Sequence, residues 1–86
     1  MKYEIQLTLR AKKQLKKIDY KHQSRIISKI NVLSATPRIK AVKKLTGRNA
    51  HRYRVGDYRV IFEIIDSKVL ILIIDIDHRK QVYKKQ

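Results

Sequence analysis

Three arginines, Arg52, Arg54 and Arg59, flank a predicted turn and have side chains suited to binding phosphate. Gly56 and Asp57 form a glycine-first pair between two alternating segments, which favours a two-residue β-hairpin turn. With that turn, Arg54 lies directly opposite Arg59, and Arg52 shares their face of the hairpin. Because like charges opposite one another destabilise a sheet, folding alone does not require this arrangement. A ligand with two or three negative charges does.

The segment after the last predicted strand brings further groups to this end of the hairpin. His78, Arg79 and Tyr83 follow that strand, and in a helix Arg79 and Tyr83 would lie on one face because they are four residues apart. Since the strand ends near the turn, we expect Arg79 and Tyr83 to converge on Arg54 and Arg59, with His78 as a further candidate. The alternative for Tyr83 is ordinary packing near a chain terminus, and the nearby arginines argue against it.

Such a cluster contains groups suited to cleaving RNA. Scission requires removal of a proton from the 2′-OH, stabilisation of charge on the phosphate and protonation of the leaving 5′ oxygen, and positioned cations supply the electrostatic part. Tyr83, with a pKa lowered by neighbouring guanidiniums, could accept the proton. Arginine is too basic to act as the base at ordinary pH, but it can donate a proton. No pair of histidines is evident, and His78 is the one histidine that we single out.

A metal site is a weaker interpretation of the same region. Asp75 and Asp77 share one strand face and, with His78, make a sparse set of ligands. Pairing with an arginine and capping of a helix are the more ordinary roles for these two carboxylates. The sequence contains no phosphate-binding glycine loop or dinucleotide motif. No metal or cofactor is therefore expected.

The whole chain is strongly basic. Its 86 residues contain 22 Lys and Arg but 7 Asp and Glu, which gives a formal net charge of +15. Between Asp19 and Asp57 the chain has no acidic residue, and this stretch holds ten of the basic residues: Lys21, Arg25, Lys29, Arg38, Lys40, Lys43, Lys44, Arg48, Arg52 and Arg54. A small protein with this charge repels itself, which indicates an anionic partner. Nucleic acid is the first candidate, an acidic protein is the second, and the two are compatible.

Composition argues against a membrane protein. Val69–Ile74, the longest apolar run, is too short to span a bilayer. A membrane-surface helix would be richer in Trp and Phe than a chain with no Trp and one Phe. There is no Cys for a disulfide framework, and Glu4, Gln6 and Arg10 interrupt any secretory signal. We therefore expect a folded, cytoplasmic protein that does not bind membranes.

Apolar periodicity predicts the elements that position these residues. Alternating apolar residues indicate strands, and an apolar stripe that repeats every three or four residues indicates helices. The predicted elements in chain order are strand Tyr3–Leu7, helices Leu9–Asp19 and Tyr20–Ala35, a short strand around Lys43–Leu45, and strands His51–Val55, Tyr58–Ile65 and Val69–Ile76. Pro37 forces the chain out of helix at Thr36. We expect one α+β domain over residues 1–86, in which a two-helix hairpin packs on a four-stranded, mostly antiparallel sheet (β-α-α-β-β-β) with a short C-terminal helical tail.

The two hairpins differ in how well the sequence defines their register. The first hairpin has one apolar face, which should meet the helices and consists of Tyr53, Val55, Tyr58, Val60 and Phe62. The second hairpin allows two registers. A loop of Asp66–Lys68 places Asp75 opposite Arg59, and a loop of Asp66–Ser67 places Ile74 there.

Three segments resemble the RelE toxins of prokaryotic toxin–antitoxin systems. They are the hairpin His51–Ile64, the apolar strand Val69–Ile74, and His78-Arg-Lys-Gln-Val-Tyr83. The resemblance spans essentially the whole chain, and the wider RelE/ParE superfamily shares the fold and much of the hairpin. It implies an endoribonuclease that enters the ribosomal A site and cuts mRNA by 2′-OH attack on phosphorus, without a metal or cofactor.

The resemblance also implies roles for individual residues. The catalytic positions of the family match Arg54, Arg59, Arg79 and Tyr83. Many members carry lysine where this chain has Arg52 and Arg54. Lysine can act as a general base when its pKa is depressed and arginine cannot, so this departure weakens Arg52 as a proton acceptor. Further RNA contacts are expected from Arg52, Lys43, Lys44, Arg48, His78 and Lys80.

The implied partners are the ribosome, mRNA and a RelB-like antitoxin. The acidic or amphipathic C-terminal segment of such an antitoxin would wrap the toxin and cover or displace the site, in a higher hetero-oligomer. Two other functions remain open: a ParE-like inhibitor of DNA gyrase without nuclease activity, and an inactive domain that only binds RNA. Arg79 and Tyr83 beside Arg54 and Arg59 favour the enzyme, because neither alternative needs a positioned base.

Overall fold

The structure, a computed structural model, describes residues 2–78, which form two helices and a five-stranded sheet. The elements in chain order are β1 (Glu4–Leu7), α1 (Leu9–Lys16), α2 (Tyr20–Ala35), β2 (Lys43–Lys44), β3 (His51–Val55), β4 (Tyr58–Ile65) and β5 (Leu70–His78). A short 3-10 turn, Asp66–Lys68, links β4 to β5. Within the described residues, neither helix is long and apolar enough to cross a membrane.

The strand order across the sheet is β1-β5-β4-β3-β2. β1 pairs with β5 in parallel, and the other neighbouring strands are antiparallel. The α+β class and the mostly antiparallel sheet are confirmed, but the predicted count of four strands is wrong. Lys43 and Lys44 pair with Arg52 and His51 and so form a fifth strand at the sheet edge. A short strand was expected around Lys43–Leu45, but it was not counted among the four strands of the predicted sheet. The predicted helical tail lies outside the described residues.

Local chemistry explains where the helices begin and end. Thr8 caps α1, because its hydroxyl accepts a hydrogen bond from the amide of Ala11 at 3.2 Å. α1 ends at Lys16 rather than at the predicted Asp19, since the chain must turn before α2 begins. α2 has the predicted bounds, and Thr36 leaves helical geometry immediately before Pro37. The two helices therefore form the expected hairpin.

The apolar stripes of both helices pack on one face of the sheet. The buried cluster combines residues of both layers: Ala11, Ile26, Ile30, Leu33, Tyr53, Val55, Val60, Phe62, Ile64, Ile71, Ile73 and Ile76. The predicted helix-facing side of the first hairpin is thus confirmed, with Tyr58 partly buried at its margin. Phe62 is fully buried at the centre, where truncation to alanine typically costs about 3–5 kcal/mol. Neither of the two helices in residues 2–78 therefore packs on the opposite face of β3 and β4.

The register of the second hairpin differs from both predicted alternatives. Arg59 lies opposite Asp77, not Asp75 or Ile74. Two irregularities cause the shift: the turn extends through Val69, so that Ile65 pairs with Leu70, and a bulge between Ile61 and Phe62 leaves Ile74 without a direct partner. Each irregularity moves the pairing by one residue.

Candidate functional site

The first hairpin has the predicted register and presents its arginines on the face away from the helices. Arg54 pairs with Arg59 across β3 and β4. Gly56 has a φ of 60° in the turn between them, a conformation that glycine adopts without a Cβ penalty. Lys43 lies opposite Arg52, so it joins the same surface. We call Lys43, Arg52, Arg54 and Arg59 the basic face.

The basic face is not neutralised by ion pairs within residues 2–78. The ion pairs in that part of the chain join Arg10 to Asp75 at 3.3 Å and Arg38 to Asp66 at 2.9 Å, and neither involves the basic face. Its members Lys43, Arg52 and Arg54, with Ala41, line an open cavity of about 270 Å³. Lys43, Arg52 and Arg54 therefore gather in a shallow depression without ion-pair partners among the described residues, and such a surface attracts phosphate.

Arg59 is a partly buried cation of the basic face. Its Nε is enclosed and has no hydrogen-bond partner among the described residues. An unsatisfied buried donor typically costs about 1–3 kcal/mol. The Nε–H group of Arg59 thus makes no hydrogen bond in the described part of the fold.

The carboxylate of Asp77 lies opposite Arg59, and Gln14 of α1 contacts both Asp77 and Asp75. The Gln14 side-chain oxygen accepts a hydrogen bond from the amide of Ile76 at 2.7 Å, and its nitrogen donates to Asp75 and Asp77. Burial opposes ionisation of Asp75, but the hydrogen bonds from Gln14 and Arg10 outweigh it, so the pKa of Asp75 is lowered. Burial and the adjacent Asp75 raise the pKa of Asp77, against the opposing charge of Arg59.

These contacts assign Asp75 a structural role. Arg10 is its ion-pair partner, so the prediction of pairing with an arginine holds, although the arginine comes from α1 and not from the basic face. Within residues 2–78, no three histidine or acidic side chains are grouped as metal ligands. The position of Asp77 opposite Arg59 was not predicted, because the bulge that brings Asp77 there leaves no signal in an apolar strand. The contact of Gln14 with Asp77 was not predicted either.

The structure separates some of the predicted RNA-binding residues from this centre. Lys44 lies opposite His51, so it points to the other side of the sheet from Lys43. Arg48 lies in the loop between β2 and β3, at the end of β3 far from the turn. Both side chains are exposed. They extend the positive surface but do not join the basic face.

His78 also lies on the other side of the sheet from Arg59. It pairs with Tyr58, and the two rings meet edge-on with centroids 4.8 Å apart. The end of β5 is thus beside the turn, as predicted, but the expected convergence of His78 on Arg54 and Arg59 is wrong. Alternate residues of a strand face opposite sides, and the observed register gives the basic face to Asp77. Arg79, Lys80 and Tyr83 lie outside the described residues.

Comparison with protein families gives one match that covers most of the chain. The model of a family described as the ParE toxin of type II toxin–antitoxin system, parDE, matches residues 5–83. No protein of curated function matches the sequence at a significant level.

Solved structures of toxin–antitoxin complexes share the fold. The archaeal RelE–RelB complex from Pyrococcus horikoshii OT3 has a TM-score of 0.79 and 29% identity, over 92% of this chain and 97% of that chain. The intact E. coli RelBE complex has a TM-score of 0.78 and 26% identity, over 86% and 93% of the two chains. The RelBE2 complex from Mycobacterium tuberculosis, with a TM-score of 0.83 at 24% identity over 92% and 100%, supports the fold alone.

Proposed function

Because the chain belongs to the ParE toxin family of type II toxin–antitoxin systems, as a RelE-like toxin of the RelE/ParE superfamily, we propose that it cleaves mRNA in the ribosomal A site. The observation that carries this proposal is the basic face, where Arg54 and Arg59 oppose each other without ion-pair partners within residues 2–78. A sheet surface that is open and cationic suits an extended single strand better than a small metabolite in a closed pocket.

In the proposed reaction, Arg54 and Arg59 bind the scissile phosphate and stabilise the negative charge that develops on it. Tyr83 accepts the proton of the 2′-OH. The 2′ oxygen then bonds to phosphorus, the bond from phosphorus to the 5′ oxygen breaks, and Arg79 donates a proton to the leaving oxygen. The products are a 2′,3′-cyclic phosphate and a free 5′-OH, and no metal or cofactor takes part.

The remaining predicted contacts hold the RNA strand on either side of the scissile phosphate. Lys43 and Arg52 continue the basic face along β2 and β3. Lys44, Arg48 and Lys80 add positive charge at its margins. Contacts of this kind fix the path of the backbone without reading its sequence, which suits a nuclease whose substrate is placed by the ribosome.

The proposed regulator is a RelB-like antitoxin, in a cytoplasmic hetero-oligomer. The Pyrococcus horikoshii and E. coli relatives are seen in complex with RelB proteins. This chain carries a net charge of +15, and an acidic antitoxin segment would neutralise it while covering the basic face.

The family match supports a second candidate, a ParE-like inhibitor of DNA gyrase. The matched family is described by the ParE toxin, and such an inhibitor needs no general base. Under this alternative, substitutions of Tyr83 would leave toxicity unchanged.

One experiment separates the two functions. Purified protein is added to ribosomes programmed with a defined mRNA, and the cleavage ends are mapped; in parallel, it is added to a gyrase supercoiling reaction. We expect cuts at the A-site codon and unimpaired supercoiling. Intact mRNA together with inhibited supercoiling would reject the nuclease and establish the alternative.

A further inference from the structure

An aromatic cluster lies on the helix side of the sheet, at the same end as Arg54 and Arg59. Tyr58 is at its centre, with the ring of His78 edge-on at 4.8 Å and the ring of His22 tilted by 49° at 5.7 Å. Tyr58 immediately precedes Arg59 on β4, so the two side chains point to opposite sides of the same strand.

The ring of Tyr58 separates two cavities. One, of about 270 Å³, lies between α1 and β5 and is lined by Lys17, Ile18 and His78 among others. The second, of about 230 Å³, lies between α2 and the hairpin turn and is lined by His22 and Arg25 among others. Each cavity thus combines aromatic, apolar and cationic groups with one carboxylate, which is Asp77 in the first cavity and Asp57 in the second.

The hydroxyl of Tyr58 is available to a ligand. It has no hydrogen-bond partner within residues 2–78, and the side chain is half-buried. Arg25 lies at the rim, where its guanidinium nitrogen is 3.6 Å from the position that a Cβ atom on Gly56 would occupy. The guanidinium of Arg25 therefore lies beside the exposed hairpin turn of Gly56 and Asp57.

We propose that Tyr58, together with His22 and His78, binds an unpaired nucleobase of the RNA whose phosphates lie on the basic face. Single-stranded RNA is commonly held by bases that leave the stack and pack on Tyr, His or Arg side chains, and the cluster provides all three. This inference rests on the proposed function, because it takes RNA as the substrate.

Packing at the margin of the core does not account for the whole arrangement. Packing would favour an apolar ring with no hydroxyl, and it requires neither imidazoles on two sides nor cationic rims. A base passing over the exposed Gly56 and Asp57 turn would reach Tyr58 while its flanking phosphates stay with Arg54 and Arg59. The turn end of the hairpin would then bind the phosphates on one face of the sheet and the base on the other.

The test is a double-mutant cycle between Tyr58 and single bases. The probes are 2′-O-methyl RNA hexamers, which cannot be cut by 2′-OH attack, each either intact or with one abasic position. Binding is measured by fluorescence anisotropy at fixed salt. Tyr58→Leu should weaken binding of the intact hexamer by about 5- to 150-fold. At one position of the hexamer, removal of the base should weaken binding to the wild-type protein by a similar factor. The same removal should cause no further loss of affinity for the Tyr58→Leu variant.

Control variants separate stacking from charge and from folding. Tyr58→Phe should keep most of the affinity. Tyr20→Leu, at a tyrosine that is 79% exposed at the start of α2, should bind as wild type does. Additive losses from Tyr58→Leu and from every abasic position would overturn the inference. If Tyr58→Leu does not fold, NMR of the wild-type protein decides: ring signals of His22, Tyr58 and His78 should shift with intact RNA and not with the matched abasic RNA, and equal shifts reject the inference.

This binding experiment tests the base site whether or not the protein is a nuclease. Positive coupling with no cleavage on programmed ribosomes would reject the proposed function and retain the base site. Cleavage with additive losses would reject the base site alone. Arg59→Ala should weaken intact and abasic hexamers equally, because it removes a phosphate contact.

Discussion

Arg59 combines features that a purely structural residue would not have. It faces Arg54 on one side and Asp77 on the other, and its buried Nε donates to no group within residues 2–78. We predict that Arg59→Ala abolishes cleavage and toxicity while the free energy of unfolding changes by less than about 1 kcal/mol. Removing the side chain relieves the repulsion from Arg54 and eliminates an unsatisfied donor, which offsets the lost packing and the lost attraction to Asp77.

Growth after induction and chemical denaturation measure the two quantities. Lys68→Ala is the matched control, because it removes one positive charge from the turn at the other end of β4 and should keep full toxicity. An unfolded Arg59→Ala protein, or a fully toxic one, would contradict the assignment of the basic face.

Tyr83 is the proposed proton acceptor. Tyr83→Phe keeps the ring and removes the hydroxyl, so single-turnover cleavage on programmed ribosomes should slow by about 10²- to 10⁴-fold. Ribosome affinity should stay the same, because it depends on the cations. Equal losses in rate and affinity would instead make Tyr83 a stacking residue, and unchanged cleavage would move the proton acceptor elsewhere.

His51 gives a pH dependence of a defined sign. Burial, with smaller contributions from Arg38 and Lys44, lowers the pKa of His51 below its ordinary value of 6.5. The folded state therefore holds the neutral imidazole, and its stability is complete above pH 6.5 and decreases as the pH falls below that value. Urea denaturation at a series of pH values should show this decrease in the wild-type protein and a smaller one in His51→Gln. Identical pH profiles would refute the role of His51.

At the scale of elements, the turn between β4 and β5 contains local strain. Val69 has a φ of 49°, a left-handed conformation that disfavours β-branched residues. Val69→Asn should raise the free energy of unfolding by about 1 kcal/mol, because asparagine tolerates this conformation. Val69→Ile keeps the β-branch and should give no gain. A loss of stability in Val69→Asn would show that side-chain packing outweighs the strain.

The two hairpins show what the sequence could and could not predict. Gly56 and Asp57 fix a turn type, and a turn type fixes a register, so the opposition of Arg54 and Arg59 was predictable. The second hairpin lacks such a signal, because Val69 carries no mark of its left-handed conformation and Ile74 bulges within an apolar run. The identity of the acid facing Arg59 depended on both irregularities. The cations of the site could thus be predicted, but the residues that lie next to them could not.

For the molecule as a whole, the net charge of +15 should govern its association with ribosomes and RNA. Each phosphate contact releases counterions, so the affinity for ribosomes or RNA should fall steeply and linearly with the logarithm of salt concentration. The slope should be shallower in Arg52→Ala, which lacks one contact. An affinity insensitive to salt would indicate an apolar protein target in place of RNA.

The contact of Gln14 with the amide of Ile76 also bears on solubility. β1 covers only the first half of β5, from Leu70 to Ile73, and an uncovered strand edge can pair with a strand of another molecule. α1 lies where such a strand would have to dock, and Gln14 occupies a backbone donor that would recruit it. The same side chain that connects helix and sheet thereby protects the chain against edge-to-edge aggregation.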